Sequence, residues 1–360
     1  MMTRRVKVLI VDDSAVVRKL LGDALSADPD IQVVGSAADV FIARDLILKH
    51  EPDVMTLDIE MPRMDGLTFL RRVMIHRPMP VIIVSSITQR GSEASVEALR
   101  IGAIDVIAKP GGPGSVGAIA DAIKHRIRAV KTSGVRLQKL SETDDETVAP
   151  AVAATAVRSP MRATGTLLVI GASTGGTQAI ESLLTRMPAE IPPTLIVQHM
   201  PEGFTKAFAD RLDRTCPMHV VESAGGEILQ PGTAYVARGD RHLIVERRGV
   251  QLLTALREGP PVHYQRPAVD VLFHSAAKLQ GVGIVGVILT GMGQDGAAGL
   301  LALRQAGAET LAEDEQSCVV FGMPKEAIAR GAASHVVTLL QMPKAIATSL
   351  EHVMSCSSRR

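Results

Sequence analysis

The 360-residue chain is 46% apolar and carries a formal net charge of +1. That length favours two domains, and no apolar run approaches the roughly 20 residues that span a bilayer. Near-neutral charge and eight aromatic residues (six Phe, two Tyr) argue against a nucleic-acid surface, and the widely spaced Cys216, Cys318 and Cys356 form no disulfide or zinc pattern, so a reducing, cytoplasmic setting is expected.

Met1–Lys7 leads straight into an apolar run, without the longer apolar region and cleavage site of a signal peptide. Strand-like runs follow at Val6–Val11, Ile31–Ser36, Val54–Leu57, Val81–Val84 and Asp105–Ile107. Helical patterns alternate with them at Ala15–Leu25, Val40–Lys49, Gly66–Ile75, Glu93–Arg100 and Gly117–Val130. Five βα units predict a flavodoxin-like α/β domain over 4–128, a parallel sheet with helices on both faces. Residues 129–163 differ in kind: Ser141-Glu-Thr-Asp-Asp-Glu-Thr147, a Val/Ala/Thr run and Arg158-Ser-Pro160 read as a linker, helical at most near Lys131–Leu140.

A second α/β domain is expected over 164–354, doubly wound and mostly parallel. Its strand-like runs are Leu167–Ile170, Thr194–Gln198, Ile284–Leu289, Thr310–Ala312 and His335–Leu339. Its helical runs are Thr177–Leu184, Phe204–Leu212, Ala268–Leu279, Ala298–Gln305 and Lys344–Met354. Thr233–Ala237, His242–Glu246 and Val250–Thr254 read as antiparallel strands, the last two forming a hairpin around Arg247-Arg248-Gly249.

Chemistry concentrates at strand ends. Asp12 and Asp13 follow the first strand, Asp58 the third, Ser85 the fourth and Lys109 the fifth. In an open parallel sheet these ends border one crevice. Converging carboxylates repel one another unless a hard cation lies among them, and an all-oxygen set suits Mg²⁺. This pattern resembles the receiver domain of bacterial response regulators. The resemblance implies that Asp58 accepts a phosphoryl group from a histidine kinase, that Asp12, Asp13 and Asp58 bind Mg²⁺, and that Ser85 and Lys109 report the phosphorylated state. The switch position that is often aromatic in that family is Val106 here.

In the second domain Gly171-Ala-Ser-Thr-Gly-Gly176 turns sharply after a strand and leaves Ser173 at its end. The spacing fits G-x-S-x-G and neither the dinucleotide fingerprint nor the phosphate loop with its lysine. His199 lies just past Thr194–Gln198, and Asp295 lies in Thr290-Gly-Met-Gly-Gln-Asp-Gly296 after Ile284–Leu289. A serine hydroxyl needs a histidine to take its proton, and the histidine needs a carboxylate to fix its tautomer. All three residues fall at the carboxyl edge of one sheet, and Gly291, Gly293 and Gly296 suit a loop whose N–H groups face an oxyanion. The chain order Ser, His, Asp differs from that of the α/β-hydrolases.

Together these three motifs resemble the protein-glutamate methylesterase of bacterial chemotaxis. The resemblance spans about 165–350 and, with the receiver, nearly the whole chain. It implies a Ser173–His199–Asp295 triad, the Met292 amide as oxyanion donor with Thr174 a lesser candidate, and no cofactor for hydrolysis. Its implied substrates are methylated chemoreceptors, its implied phosphodonor a chemotaxis histidine kinase. It further implies deamidation of receptor glutamines and an unphosphorylated receiver that blocks the serine site. The competing readings are a response regulator with a non-catalytic output domain and a nucleotide-binding α/β regulator; neither nucleic acid nor membrane insertion is expected.

Overall fold

The computed structural model describes residues 4–61, 65–109, 116–133 and 165–357. It divides into two units, 1–149 and 150–360. In the first, β1 (Val6–Val11), β2 (Ile31–Ala37), β3 (Val54–Leu57), β4 (Val81–Ser85) and β5 (Asp105–Ala108) form one parallel sheet ordered β2-β1-β3-β4-β5. Helices α1 (Ala15–Ser26), α2 (Val40–His50), α3 (Gly66–His76), α4 (Gln89–Ile101) and α5 (Val116–Ser133) connect or follow the strands. Burial on both faces explains why the inner strands read as unbroken apolar runs rather than alternating ones: Val8, Leu9, Ile10, Val54, Met55, Ile82 and Ile83 have no exposed surface. Winding reverses between β1 and β3, which is where the acidic residues lie.

Helix α4 starts four residues before the expected Glu93, because the Thr88 side chain accepts the Gly91 N–H and caps it there. Helix α5 continues to Ser133, into the predicted linker. The rest of that linker, including the remainder of the predicted Lys131–Leu140 helix, lies outside the described residues.

The second unit holds a seven-stranded sheet, parallel at every pairing. Its strands are β6 (Thr166–Ala172), β7 (Thr194–Gln198), β8 (His219–Glu222), β9 (Thr233–Val236), β12 (Gly283–Ile288), β13 (Glu309–Glu313) and β14 (His335–Val337), in the order β14-β13-β12-β6-β7-β9-β8. Helices α6 (Gly176–Leu184), α7 (Phe204–Thr215), α8 (Val269–Ala277), α9 (Ala297–Gln305), α10 (Met323–Ala329) and α11 (Met342–Ser357) complete it. Phe273, Leu272, Val269, Leu300 and Leu303, all without exposed surface, build the core on one side of the sheet.

Two expectations are corrected here, and one helix is added. Thr233–Val236 is a parallel strand of the main sheet, paired with β7 and with the unanticipated β8, so it is not antiparallel. The hairpin of β10 (His242–Arg248) and β11 (Gln251–Arg257) turns at Gly249 and Val250, one residue later than expected, with Gly249 at φ 61°. Helix α10, with Pro324 in its first turn, was not anticipated. Among the described residues no helix is long and apolar enough to cross a membrane.

Candidate functional site

The sheet of the second unit reverses its winding between β6 and β12, and the three candidate residues lie around that point. Ser173 directly follows β6, His199 follows β7, and Asp295 lies in the loop between β12 and α9. Backbone bonds draw the first two strand ends together: the His199 N–H donates to the Ala172 carbonyl at 3.1 Å. Gln198 adds a side-chain strap, its Nε2 donating to the carbonyls of Ser173 at 2.8 Å and His199 at 3.2 Å.

His199 Nε2 lies 2.7 Å from Asp295 Oδ2, and both side chains are almost wholly buried. His199 Nδ1 is buried with no partner. It is therefore the only ring nitrogen left for a serine proton. Ser173 Oγ makes no hydrogen bond to it, a contact that in many enzymes forms only in the complex with substrate.

Asp295 is fixed from its other side. Oδ2 and Oδ1 accept the N–H groups of Val269 and Asp270 at 2.7 and 2.9 Å. These are the unpaired first donors of α8, where a helix favours negative charge. Burial opposes ionisation of Asp295, but the His199 bond and these two N–H groups outweigh it and hold the carboxyl below its ordinary value. Asp270 in turn accepts from the Gly299 N–H at 2.6 Å and lies 3.1 Å from His263, and burial pushes its carboxyl up. His263, Asp270 and Asp295 thus form a cluster whose ligating atoms lie within 4.8 Å of one another. Both Asp295 oxygens already serve backbone donors, so the cluster acts as a buttress.

The loop 290–293 packs on the serine. A Cβ on Gly291 would lie 2.9 Å from Ser173 Cβ, and the Ser173 N–H donates to the Thr290 carbonyl at 3.1 Å. Among the described hydrogen bonds the backbone N–H groups of Met292 and Thr174 have no acceptor. Gly175 caps α6 at φ 77°, and a Cβ there would come 2.5 Å from Val319 Cβ. Gly175→Ala is expected to destabilise the second unit by about 1–3 kcal/mol and to slow hydrolysis. A urea midpoint equal to that of wild type would show that the turn tolerates a side chain.

In the first unit the predicted acidic residues meet. Asp12, Asp13 and Asp58 offer carboxylate oxygens within 4.8 Å of one another. Asp12 and Asp58 are buried and Asp13 is exposed. Lys109 Nζ lies 2.7 Å from Asp58 Oδ2 and 3.2 Å from Asp12 Oδ2. Burial lifts the Asp58 carboxyl to about 6 even though Lys109 pulls it down. Ser85 is fully buried, and its carbonyl accepts the Lys109 N–H at 2.7 Å. Val106 is an interior residue of β5, aligned with Ile83 of β4.

Known proteins match both halves. Residues 8–121 match the family model of the response regulator receiver domain, and residues 168–346 that of the CheB methylesterase. Protein-glutamate methylesterase/protein-glutamine glutaminase 2 of Syntrophus aciditrophicus is 52% identical over 335 residues, 93% of this chain and 96% of its own. The chain belongs to the CheB methylesterase family. The relative from Chromohalobacter salexigens, named protein-glutamate methylesterase/protein-glutamine glutaminase, is 50% identical over 96% of each chain. Among solved structures, the catalytic domain of the Thermotoga maritima CheB methylesterase is 39% identical. It has a TM-score of 0.50 and covers 51% of this chain and 98% of that one.

Within this CheB-family chain, sequence reasoning missed Gln198, the α8 N-terminus and Thr290 as parts of the serine site. Gln198 carried a usable signal, a polar residue closing an otherwise apolar strand. The α8 contact carried none, because it joins segments distant in the sequence.

Proposed function

We propose that this chain is a phosphorylation-gated hydrolase that removes methyl esters from glutamate side chains of chemoreceptors and deamidates particular receptor glutamines. The observation that carries it is the buried His199–Asp295 pair at the same sheet edge as Ser173, in a chain of the CheB family. Ser173 Oγ attacks the side-chain carbonyl while His199 Nδ1 takes its proton. Asp295, kept ionised by its backbone donors, holds the other ring nitrogen protonated and stabilises the imidazolium. The Met292 N–H stabilises the oxyanion. His199 then returns the proton to the leaving group, releasing methanol from an ester or ammonia from an amide and leaving an acyl ester on Ser173. Water, deprotonated by His199, cleaves that ester and restores the hydroxyl.

For the receiver, Asp58 is the phosphoryl acceptor and a histidine kinase the donor, with Ser85 and Lys109 sensing the result. The residues fit a divalent cation: the ligand set is all oxygen, and the buried Asp12 Oδ2 is met by one cationic group, Lys109 Nζ at 3.2 Å, while Asp13 and Asp58 offer oxygens within 4.8 Å. Asp12, Asp13 and Asp58 would hold Mg²⁺, which when bound supplies positive charge to the transferring phosphoryl oxygens. Lys109 offers a second positive charge from the protein itself. The protein is assigned to the cytoplasm, where methylated receptor segments and kinase are both reachable.

The test is release of methanol from methyl-labelled receptor, with mass spectrometry reading deamidation in parallel. A chain that releases neither methanol nor ammonia beyond the rate without protein is a non-catalytic regulator, and the reading fails.

A further inference from the structure

One buried titratable group near the serine takes no part in these steps. Glu313, the last residue of β13, has no exposed surface. Its Oε2 accepts the Thr290 N–H at 2.8 Å, while its Oε1 is buried without a partner. Thr290 opens the loop that carries Met292 and Asp295, and every polar group it has is engaged. Its carbonyl accepts the Ser173 N–H at 3.1 Å. Its hydroxyl donates to the Thr174 carbonyl at 3.0 Å and accepts the Val320 N–H at 2.9 Å. Its carbonyl and its hydroxyl thus both reach the serine turn, and Glu313 holds the remaining backbone group.

We propose that Glu313 is a positioning residue of the serine site, which through the Thr290 N–H sets the placement of the Ser173 backbone and of the oxyanion loop. The proposal rests on Ser173 being the nucleophile. For stability alone the group is a poor choice, since a buried carboxyl with one oxygen unpartnered is costly. What it supplies is a strong acceptor at the one point where the loop meets the neighbouring strand, and catalytic donors lose effect when displaced by fractions of an ångström.

Its charge also changes in the neutral range. Burial pushes the carboxyl up to about 7, against the pull of the Thr290 N–H and the nearby Ser317 hydroxyl, and Asp314 raises it further. The other titratable group acting on it is the Cys318 thiol, itself pushed up by burial. Helices α9, α10 and α11 pack on β13, and their buried Leu300, Leu303, Met323, Ala327, Ile346 and Leu350 bring no charge. Glu309, with His335 and His352, occupies the opposite end of the strand. Because the folded-state value lies above that of the unfolded chain, the stability Glu313 confers is full in acid. It is lost as pH rises towards about 7. Followed between about pH 4 and 8, the melting temperature of Glu313→Gln relative to wild type should therefore rise from about 4.5 and level off above about 7.

The decisive experiment compares wild type, Glu313→Gln, Glu313→Met and Ser173→Ala on methyl-labelled receptor across that range. Glu313→Met, which cannot accept the N–H, should lose kcat by roughly 10- to 100-fold with KM within about twofold. Glu313→Gln, whose amide oxygen can accept it, should recover most of that loss. Its kcat relative to wild type should climb through pH 7, because it never places a negative charge behind the oxyanion loop. Wild-type kcat in Glu313→Met overturns the proposal, as does a folded Glu313→Gln as impaired as Glu313→Met. If Glu313→Met does not fold, the Glu313→Gln ratio decides alone, and a ratio flat with pH overturns it. Hydrolysis by Ser173→Ala would instead overturn the nucleophile assignment on which the proposal stands.

Discussion

Ser173→Ala should lower methyl-ester hydrolysis by roughly 10⁴- to 10⁶-fold, with the melting temperature close to that of wild type. The hydroxyl sits just past the end of β6 and, among the described residues, makes no hydrogen bond, so its removal leaves packing intact. His199→Gln should be comparably inactive, and the double variant little worse than either, since the residues act as a unit. Asp295→Asn should cost roughly 10³- to 10⁴-fold, because an amide cannot hold the histidine in the required tautomer. It should also lower stability, because Asp295 alone accepts the Val269 and Asp270 N–H groups at the start of α8. Methanol release in single-turnover format reads the first effect and thermal melting the second. Hydrolysis by Ser173→Ala at a wild-type rate would remove the whole mechanism.

Addition of a small-molecule phosphodonor with Mg²⁺ should raise hydrolysis by about tenfold or more, which asks only about 1.4 kcal/mol of differential stabilisation between two states of the protein. Asp58→Asn should abolish the rise while keeping basal activity. Chelation of the cation should likewise remove the stimulation and spare basal hydrolysis, since the acidic residues and the serine belong to different units. An Asp58→Asn protein that still responds would exclude Asp58 as the acceptor. Loss of basal hydrolysis on chelation would show that the cation serves the serine chemistry as well.

Both strand-end constellations were readable from the sequence for the same physical reason. In a parallel sheet each βα turn delivers its first residues to one edge, so a polar residue after an apolar run already has an address. Asp12, Asp58, Ser173 and His199 all follow that pattern. What escaped was set by pairing between distant segments. Thr233–Val236 is short and apolar, and nothing local says whether its neighbour runs with it or against it. β8, with burial on only one of its four residues, lacks the apolar run that announces an inner strand. Pro324 reads as a helix breaker in isolation, yet at the first turn of α10 its missing N–H costs nothing. Thr290 and Glu313 carry no local signal of a joint role, and only the β12–β13 pairing brings them together beside the serine turn.

The winding of the second sheet also bears on how the enzyme comes into being. β6, which carries Ser173, is the first strand of its unit to leave the ribosome yet lies in the middle of the finished sheet. One of its edges stays open until β12 arrives, after β7, β8, β9, the β10–β11 hairpin and α8. Closing so long a loop is slow, and meanwhile an apolar strand with free backbone groups is exposed to aggregation. A nascent chain halted before β12 would hold Ser173 and His199 without Asp295. Esterase activity should therefore switch on abruptly late in synthesis, and C-terminal truncations reaching into β12 should be insoluble rather than weakly active.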